Sequence, residues 1–256
     1  MFRKLAFSAL VLGASFVPSF AHAQTTLASS YPAVLGQGRL LSVPASSQYY
    51  LRYQLQANRS YFAVCWNIGT TTQITTCGVD IRNGSDVIVG SALNVEPFDS
   101  TFTTFGGDGD SYQPTTSGSY YVRVANSSGS VQSINVMVIE NTLFSPWWYV
   151  APSSGYDSWT QIRNNTAQSM PVTVRAYTNT GSIAGTTTQI LPANGTILVQ
   201  VSTLAPAGGA GSMSIAYDGP PGSIAANTTT LSGATGLSFD SPFTPRMYWS
   251  SFGFLQ

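Results

Sequence analysis

The stretch LFSPWWYV, residues Leu143–Val150, is the densest aromatic run of this 256-residue chain and lies near its middle. Large aromatic and β-branched residues of this kind favour a β-strand. Tyr156 and Trp159 follow it closely, and residues 241–249 form a weaker aromatic echo near the C-terminus. We interpret 143–150 as the boundary between two β-domains and as the first strand of the second domain.

Short apolar or alternating segments, separated by turn residues, lie on both sides of this boundary. No segment has a helical period, and spacing of this kind is typical of β-sandwiches. The sequence therefore predicts an all-β protein with two consecutive sandwiches, jelly-roll-like over 24–141 and immunoglobulin-like over 142–256. The predicted strands are 48–55, 61–66, 77–82, 86–89, 118–124 and 133–139, then 159–163, 170–177, 187–191, 196–201, 211–217 and 224–231.

Three segments of the first domain carry a resemblance to a known family. GSYYVRV at 118–124 resembles the Gly-x-Tyr-x-Val-x-Val strand of the bacterial pre-peptidase C-terminal domain. VDIRNGSDVIV at 79–89 resembles that family's strand–turn–strand, and 49–62 its opening hairpin. The resemblance implies a jelly-roll-like sandwich that accompanies secreted enzymes, is not itself catalytic, and in some members binds calcium or matrix polymers. For the second domain the pattern is only generically Ig-like.

The N-terminus has the three parts of a secretory signal peptide. Arg3 and Lys4 precede an apolar run from Leu5 to Val17, and Ala21-His22-Ala23 is an Ala-x-Ala cleavage site. The alternative is a membrane anchor, but the run is short for a bilayer and Pro18 ends it. We expect cleavage after Ala23 and a protein that is periplasmic, cell-surface or extracellular, with no membrane span once the signal is removed.

Removal of residues 1–23 would take away the only histidine, His22, and the only lysine, Lys4. Eight arginines would then face ten acidic residues, giving a net charge of −2, which is too weak to indicate nucleic acid as a partner. A Ser-His-Asp triad and Schiff-base chemistry would be excluded. Carboxylates could still hydrolyse glycosides, and Asp157, Asp218 and Asp240 are candidates, although Asp is also a routine turn residue.

Two cysteines, Cys65 and Cys77, are the only ones in the chain. A single pair in an exported protein predicts a disulfide.

The segment 106–118 is predicted to be a loop and contains Gly106-Gly107-Asp108-Gly109-Asp110. Carboxylates on a Gly-rich loop suit calcium, but that ion needs about six or more oxygens. A solvated turn is the alternative. Asp80, Glu96 and Asp99 could complete a site if the fold brought them close. We expect no other cofactor.

The aromatic residues around the boundary also have two interpretations. They could fill a sandwich core, or they could form an exposed platform that stacks on a ligand. Because side chains alternate along a strand, one of Trp147 and Trp148 should face outward. If a ligand binds, we expect it to contact Trp147, Trp148, Tyr156 and Trp159.

The sequence predicts an exported, non-catalytic binding or structural protein that recognises polysaccharide or an extracellular protein. The alternatives are an accessory module of a secreted peptidase system and a secreted hydrolase that uses carboxylates only.

Overall fold

The computed structural model describes residues 25–67, 77–93 and 107–246, and nearly all of its regular structure is β-strand. Two three-residue 3₁₀ turns, Pro152–Ser154 and Val201–Thr203, are the only helical segments of these ranges. The all-β class predicted from the sequence is confirmed. The predicted signal peptide lies outside the described residues.

Two sheets form the first sandwich. The four-stranded sheet has the order β1-β3-β8-β5, and the five-stranded sheet has the order β2-β9-β4-β7-β6. Their strands are β1 (Tyr31–Pro32), β2 (Arg39–Val43), β3 (Ser47–Leu55), β4 (Tyr61–Asn67), β5 (Cys77–Arg82), β6 (Ser91–Leu93), β7 (Gly107–Tyr112), β8 (Gly118–Asn126) and β9 (Gln132–Glu140).

The second sandwich also has two sheets. One has the order β13-β12-β15-β10-β18 and the other β14-β11-β16-β17. The strands are β10 (Leu143–Val150), β11 (Tyr156–Asn164), β12 (Met170–Thr178), β13 (Ile183–Leu191), β14 (Thr196–Gln200), β15 (Gly209–Tyr217), β16 (Ile224–Ser232), β17 (Ser238–Pro242) and β18 (Thr244–Pro245).

Each sandwich encloses its own hydrophobic core. The first core is formed by alternate residues of both sheets, such as Tyr53 and Val122 from one sheet and Val136 from the other. The second core includes Trp148 and Ile215. The chain passes from one cluster to the other between residues 138 and 143, and the predicted boundary at 141/142 lies in this interval.

The predicted disulfide is confirmed. Cys65 near the end of β4 and Cys77 at the start of β5 are bonded, with their Cα atoms 6.3 Å apart. These strands belong to different sheets, so the bond joins the two layers of the first sandwich.

The prediction of a loop over 106–118 is wrong for its first half. Residues Gly107–Tyr112 form β7, which pairs with β4 along its whole length and with β6 at Ser91–Leu93. Glycine and aspartate have low strand propensity, but pairing on both sides outweighs a local preference of this size. The segment 79–89 does contain a turn, in which Asn83 Oδ1 accepts hydrogen bonds from the N–H groups of Ser85 and Val87.

The first sandwich packs against the outer face of the β13-β12-β15-β10-β18 sheet. Thr173, Ser214 and Ala216 are buried although they alternate with residues of the second core. Three hydrogen bonds cross the junction: Arg175 Nη1 to Asn58 O (3.1 Å), Asn141 Nδ2 to Gly219 O (2.6 Å) and Gln113 Nε2 to Asp218 Oδ1 (3.0 Å). The central strands of this sheet are therefore covered on both faces.

Candidate functional site

A β-bulge in the middle of β10 decides where its aromatic side chains point. Ser145 pairs with Met213 and Trp148 with Gly211, so Pro146 and Trp147 together lie opposite Ser212 alone. One extra residue in one strand is the definition of a bulge, and it interrupts the alternation of faces. Pro146, which has no N–H, is tolerated at such a position. Two consecutive side chains, Pro146 and Trp147, are exposed as a result.

Trp148 is the member of the pair that enters the core. Its side chain is 1% exposed, and its indole Nε1 donates to the carbonyl oxygens of Tyr177 (3.0 Å) and Ser212 (3.1 Å). Gly211 permits this close packing, because a Cβ there would lie 1.8 Å from the Tyr177 oxygen. Trp148 is thus a structural residue, and its predicted contact with ligand is wrong.

Trp147 lies on the surface and begins a cluster of three rings. It is 46% exposed, and its ring lies 6.4 Å from that of Tyr149 with planes 18° apart. Tyr149 in turn meets Tyr156 edge-on at 5.5 Å, which is a favourable geometry for aromatic pairs. Trp147 is therefore held in place by its neighbours along the edge of the sandwich.

These rings line one side of an open groove with a volume of 740 Å³. The other side comes from β17 and β16, where Phe239 is 52% exposed. We call this surface the aromatic groove; its lining residues are Pro146, Trp147, Tyr149, Tyr156, Thr230, Phe239, Asp240, Ser241 and Pro242.

Buried hydroxyl groups hold in place the strands that border the aromatic groove. Ser158 Oγ accepts a bond from the N–H of Tyr149 (3.0 Å) and donates to its carbonyl (2.8 Å), so the open edge of β10 is satisfied by a side chain. Ser145 Oγ lies 2.8 Å from Ser241 Oγ and ties β10 to β17. Buried polar groups that are paired in this way hold a backbone in one position.

The structure brings together only part of the predicted binding set. Trp147 and Tyr156 line the aromatic groove. Trp159 stands on the other face of β11 from the buried Ser158 and Thr160, beside Gln200 and Thr229, and does not line the groove. Sequence reasoning missed Tyr149 and Phe239, because their meeting depends on the bulge and on the pairing of β17 with β16.

Asp108 and Asp110 accept backbone hydrogen bonds within the first sandwich. β5 is the edge strand of its sheet, so the N–H groups of alternate residues along it lack a strand partner. Asp108 Oδ2 accepts from the N–H of Val79 (2.9 Å), and Asp110 Oδ2 accepts from that of Ile81 (2.6 Å). The two carboxylates thus cap the edge of β5 and join the sheets.

Asp110 is 1% exposed, and burial raises its pKa to about 7. A Cβ on Gly90 would lie 2.0 Å from Asp110 Oδ2, so only glycine fits against the carboxyl group. A solvated turn is therefore the wrong description of this segment.

The hydrogen bonds of Asp108 and Asp110 also affect whether these carboxylates could bind calcium. N–H donors occupy both oxygens of Asp108 and one oxygen of Asp110, whereas a calcium site needs about six or more converging oxygens. Asp80 is engaged by Arg82 and Arg123. Within 25–67, 77–93 and 107–246 no three His, Cys, Asp or Glu side chains cluster as metal ligands, while Glu96 and Asp99 lie outside these ranges. The carboxylates described do not fit a calcium ion, and calcium binding stays a prediction.

The three carboxylates of the hydrolase hypothesis have different surroundings in the fold. Asp157 in β11 accepts from Gln200 Nε2 (2.6 Å) and Ser202 Oγ (2.7 Å). Asp218 lies at the junction of the sandwiches, where burial raises its pKa. Asp240 lies on β17 at the rim of the aromatic groove. Asp157 and Asp240 are strand residues, so their interpretation as turn residues is wrong.

No protein-family model and no curated protein matches this chain. A solved structure of a glycosyl hydrolase family 2 member from Bacteroides cellulosilyticus is similar at 8% identity, over 78% of this chain and 28% of that one, with a TM-score of 0.21. A Bacteroides uniformis beta-glucuronidase is 11% identical over 77% of this chain and 26% of that one, with a TM-score of 0.19. The chain thus spans little more than a quarter of these proteins, and similarity at this level assigns no function.

Proposed function

We propose that this protein is an exported, non-catalytic binding protein that holds a neutral polysaccharide in the aromatic groove. The observation that carries the proposal is the exposed Trp147, which is stacked on Tyr149 and faces an open groove. A tryptophan fixed on the surface presents a large apolar contact area at little cost in conformational entropy. Exposed aromatic clusters of this kind mark interaction sites.

The chemistry of the lining favours a neutral, extended ligand. Asp240 is the only charged side chain among the lining residues of the aromatic groove, and it accepts bonds from Thr229 Oγ1 (2.6 Å) and Asn227 Nδ2 (3.2 Å). A sugar ring has a C–H face that can stack on an aromatic ring and hydroxyl groups that can bond to the rim. The groove is open to solvent, which leaves room for a polymer to pass through.

Support for the absence of catalysis comes from the residues present. The described ranges contain no histidine and no lysine, which lie at His22 and Lys4. The single carboxylate at the groove cannot supply the acid–base or acid–nucleophile pair of a glycosidase.

Export is supported by the signal-like N-terminus and by the disulfide, which persists in oxidising compartments. Residues 25–67, 77–93 and 107–246 include no helix of the length and apolarity needed to cross a bilayer.

The resemblance to pre-peptidase C-terminal domains adds the second proposal, an accessory module beside a secreted peptidase, which a peptide-binding result would favour.

The test is a calorimetric titration of the purified protein with neutral soluble polysaccharides, such as a β-glucan, a xylan and a galactomannan, and with proline-rich peptides. We expect binding to at least one polysaccharide without release of reducing ends. Trp147→Ala should weaken binding by about 2 kcal/mol, or about thirtyfold in Kd, as loss of an aromatic hot spot does.

Trp159→Ala is the matched control, because Trp159 is a partly exposed tryptophan away from the aromatic groove. It should bind with wild-type affinity. Binding of peptides alone, or equal losses in Trp147→Ala and Trp159→Ala, would refute the polysaccharide site.

A further inference from the structure

The edge strand β13 is long, exposed and open. Among the described residues, β13 pairs with β12 on one side and with no strand on the other. Its outward side chains Thr186, Thr188 and Ile190 are exposed, Ile190 at 64%. An open strand edge presents unpaired N–H and C=O groups, which are a template for pairing with another strand.

The position of Pro171 shows which backbone groups are free. Residue pairs of an antiparallel ladder alternate between hydrogen-bonded and non-hydrogen-bonded. Pro171 has no N–H and lies opposite Ile190, which suits a non-hydrogen-bonded pair. Because the two kinds of pair alternate along the strand, Thr188 and Thr186 also belong to non-hydrogen-bonded pairs with β12. These three residues of β13 therefore direct their N–H and C=O groups away from β12, toward the open edge.

Two other strand edges are protected by side chains, and the edge of β13 is not. Asp108 and Asp110 cap the N–H groups of β5, and Ser158 satisfies the edge of β10. In β13, proline and lysine, the usual edge protectors, do not occur, and no charged residue lies between Arg175 and Asp218. The single bulge, at Ala176/Tyr177, affects only the first residues of β13 and leaves a regular ladder over 185–191.

We propose that two copies of this chain associate through β13, antiparallel and about a twofold axis at Thr188. The regular ladder over 185–191 is centred on Thr188, so the axis places Thr188 opposite Thr188 of the second copy and Thr186 opposite Ile190 of the second copy. The edge groups of all three residues are then paired. Two five-stranded sheets become one sheet of ten strands, in the isologous contact that a twofold dimer requires.

The side chains fit this register. Thr188 Oγ1 already lies 3.1 Å from Thr173 Oγ1 within one copy, and Thr–Thr pairs across strands are favourable. Absence of charge along the whole segment means that two identical edges approach without repulsion. Because the edge of β13 is self-complementary, we assign a second copy of this chain as its partner. The proposed dimer does not depend on the aromatic groove.

Sedimentation velocity over a range of protein concentrations tests the proposal. Wild type should show a monomer–dimer equilibrium. Thr188→Lys puts like charges opposite each other and should raise the dimer dissociation constant by about tenfold or more. Ile190→Lys should act in the same direction and serves as a second variant if the first is poorly folded. Leu198→Lys, on the exposed face of β14 in the other sheet, is the matched control and should dimerise like wild type.

A cross-link tests the register. Thr188→Cys treated with a short bismaleimide should give covalent dimers, whereas Leu198→Cys should not. The native cysteines do not compete, since Cys65 and Cys77 are bonded to each other. A wild-type monomer at every concentration, or a dimer that survives both Thr188→Lys and Ile190→Lys, would overturn the proposal.

Discussion

Trp147 and Trp148 point to opposite faces because they are adjacent on a strand, and the bulge at Pro146 decides which of them is buried. Trp148→Ala should lower the free energy of unfolding by about 3–5 kcal/mol, since it empties a core site and removes the indole N–H that bonds to two backbone carbonyl groups. Trp147→Ala should change stability little, because surface substitutions fall within about 0.5 kcal/mol. Urea denaturation of both variants measures the difference, and equal losses would contradict these assignments.

Asp110 should make stability depend on pH. Its pKa in the folded protein is about 7, above the ordinary value of 3.8, so between these values the folded state binds more protons than the unfolded chain. The contribution of Asp110 to the free energy of unfolding is fully present below the pKa of the unfolded chain. It is lost as the pH rises through the folded-state pKa of about 7. The free energy of unfolding should therefore fall between pH 5 and pH 8.

Asp110→Asn keeps an oxygen for the N–H of Ile81 but does not titrate, so the fall in unfolding free energy between pH 5 and pH 8 should become smaller. Asp218, whose pKa burial also raises, contributes with the same sign and remains in this variant. Asp240→Asn, at an exposed carboxylate, is the control and should keep the wild-type slope. An unchanged slope in Asp110→Asn would contradict the assignment.

At the scale of elements, β4 and β5 are joined by the disulfide across a sequence separation of 12. Replacing Cys65 and Cys77 by serine should lower the free energy of unfolding by about 3 kcal/mol, since the unfolded chain regains the entropy of an open loop. Denaturant titration of oxidised, reduced and Ser/Ser protein measures this. Two reactive thiols in the native oxidised protein would refute the bond.

Most strands could be predicted from the sequence because their hydrophobic alternation matches their pairing. The segments that became β3, β4, β5, β8 and β9 agree with prediction to within a few residues. The segment 86–89, predicted as a strand, contributes only one isolated bridge, between Ile88 and Arg82. The next segment, Ser91–Leu93, forms β6 beside β7 although it was not predicted as a strand.

Two features could not be predicted, and both depend on distant residues. β7 is a strand because β4 and β6 pair with it and because its carboxylates meet the open edge of β5. The aromatic groove exists because the β10 bulge redirects Trp147 and because β17 brings Phe239 beside it. Pro146 suits an edge strand as well as a bulge and so does not by itself locate the bulge, and the position of β17 has no local sequence signal.

At the scale of the whole molecule, the two sandwiches are packed together and the aromatic groove lies on the edge of the second. The first sandwich covers the outer face of the sheet that carries β10, and Arg59 lies 5.0 Å from the ring of Phe144 in that strand. The first sandwich thus packs against the sheet that carries β10, while the bulge of β10 remains at the surface. A rigid platform of this kind is what a stacking site needs.

The most direct test of the account is protection of Trp147 by bound polysaccharide. The protein is oxidised with N-bromosuccinimide, with and without a saturating neutral polysaccharide, and each tryptophan is followed by mass spectrometry of its peptide. We expect Trp147 to react in the free protein and to be protected in the complex, while Trp159 reacts equally in both. Equal oxidation of Trp147 with and without the polysaccharide would contradict this expectation.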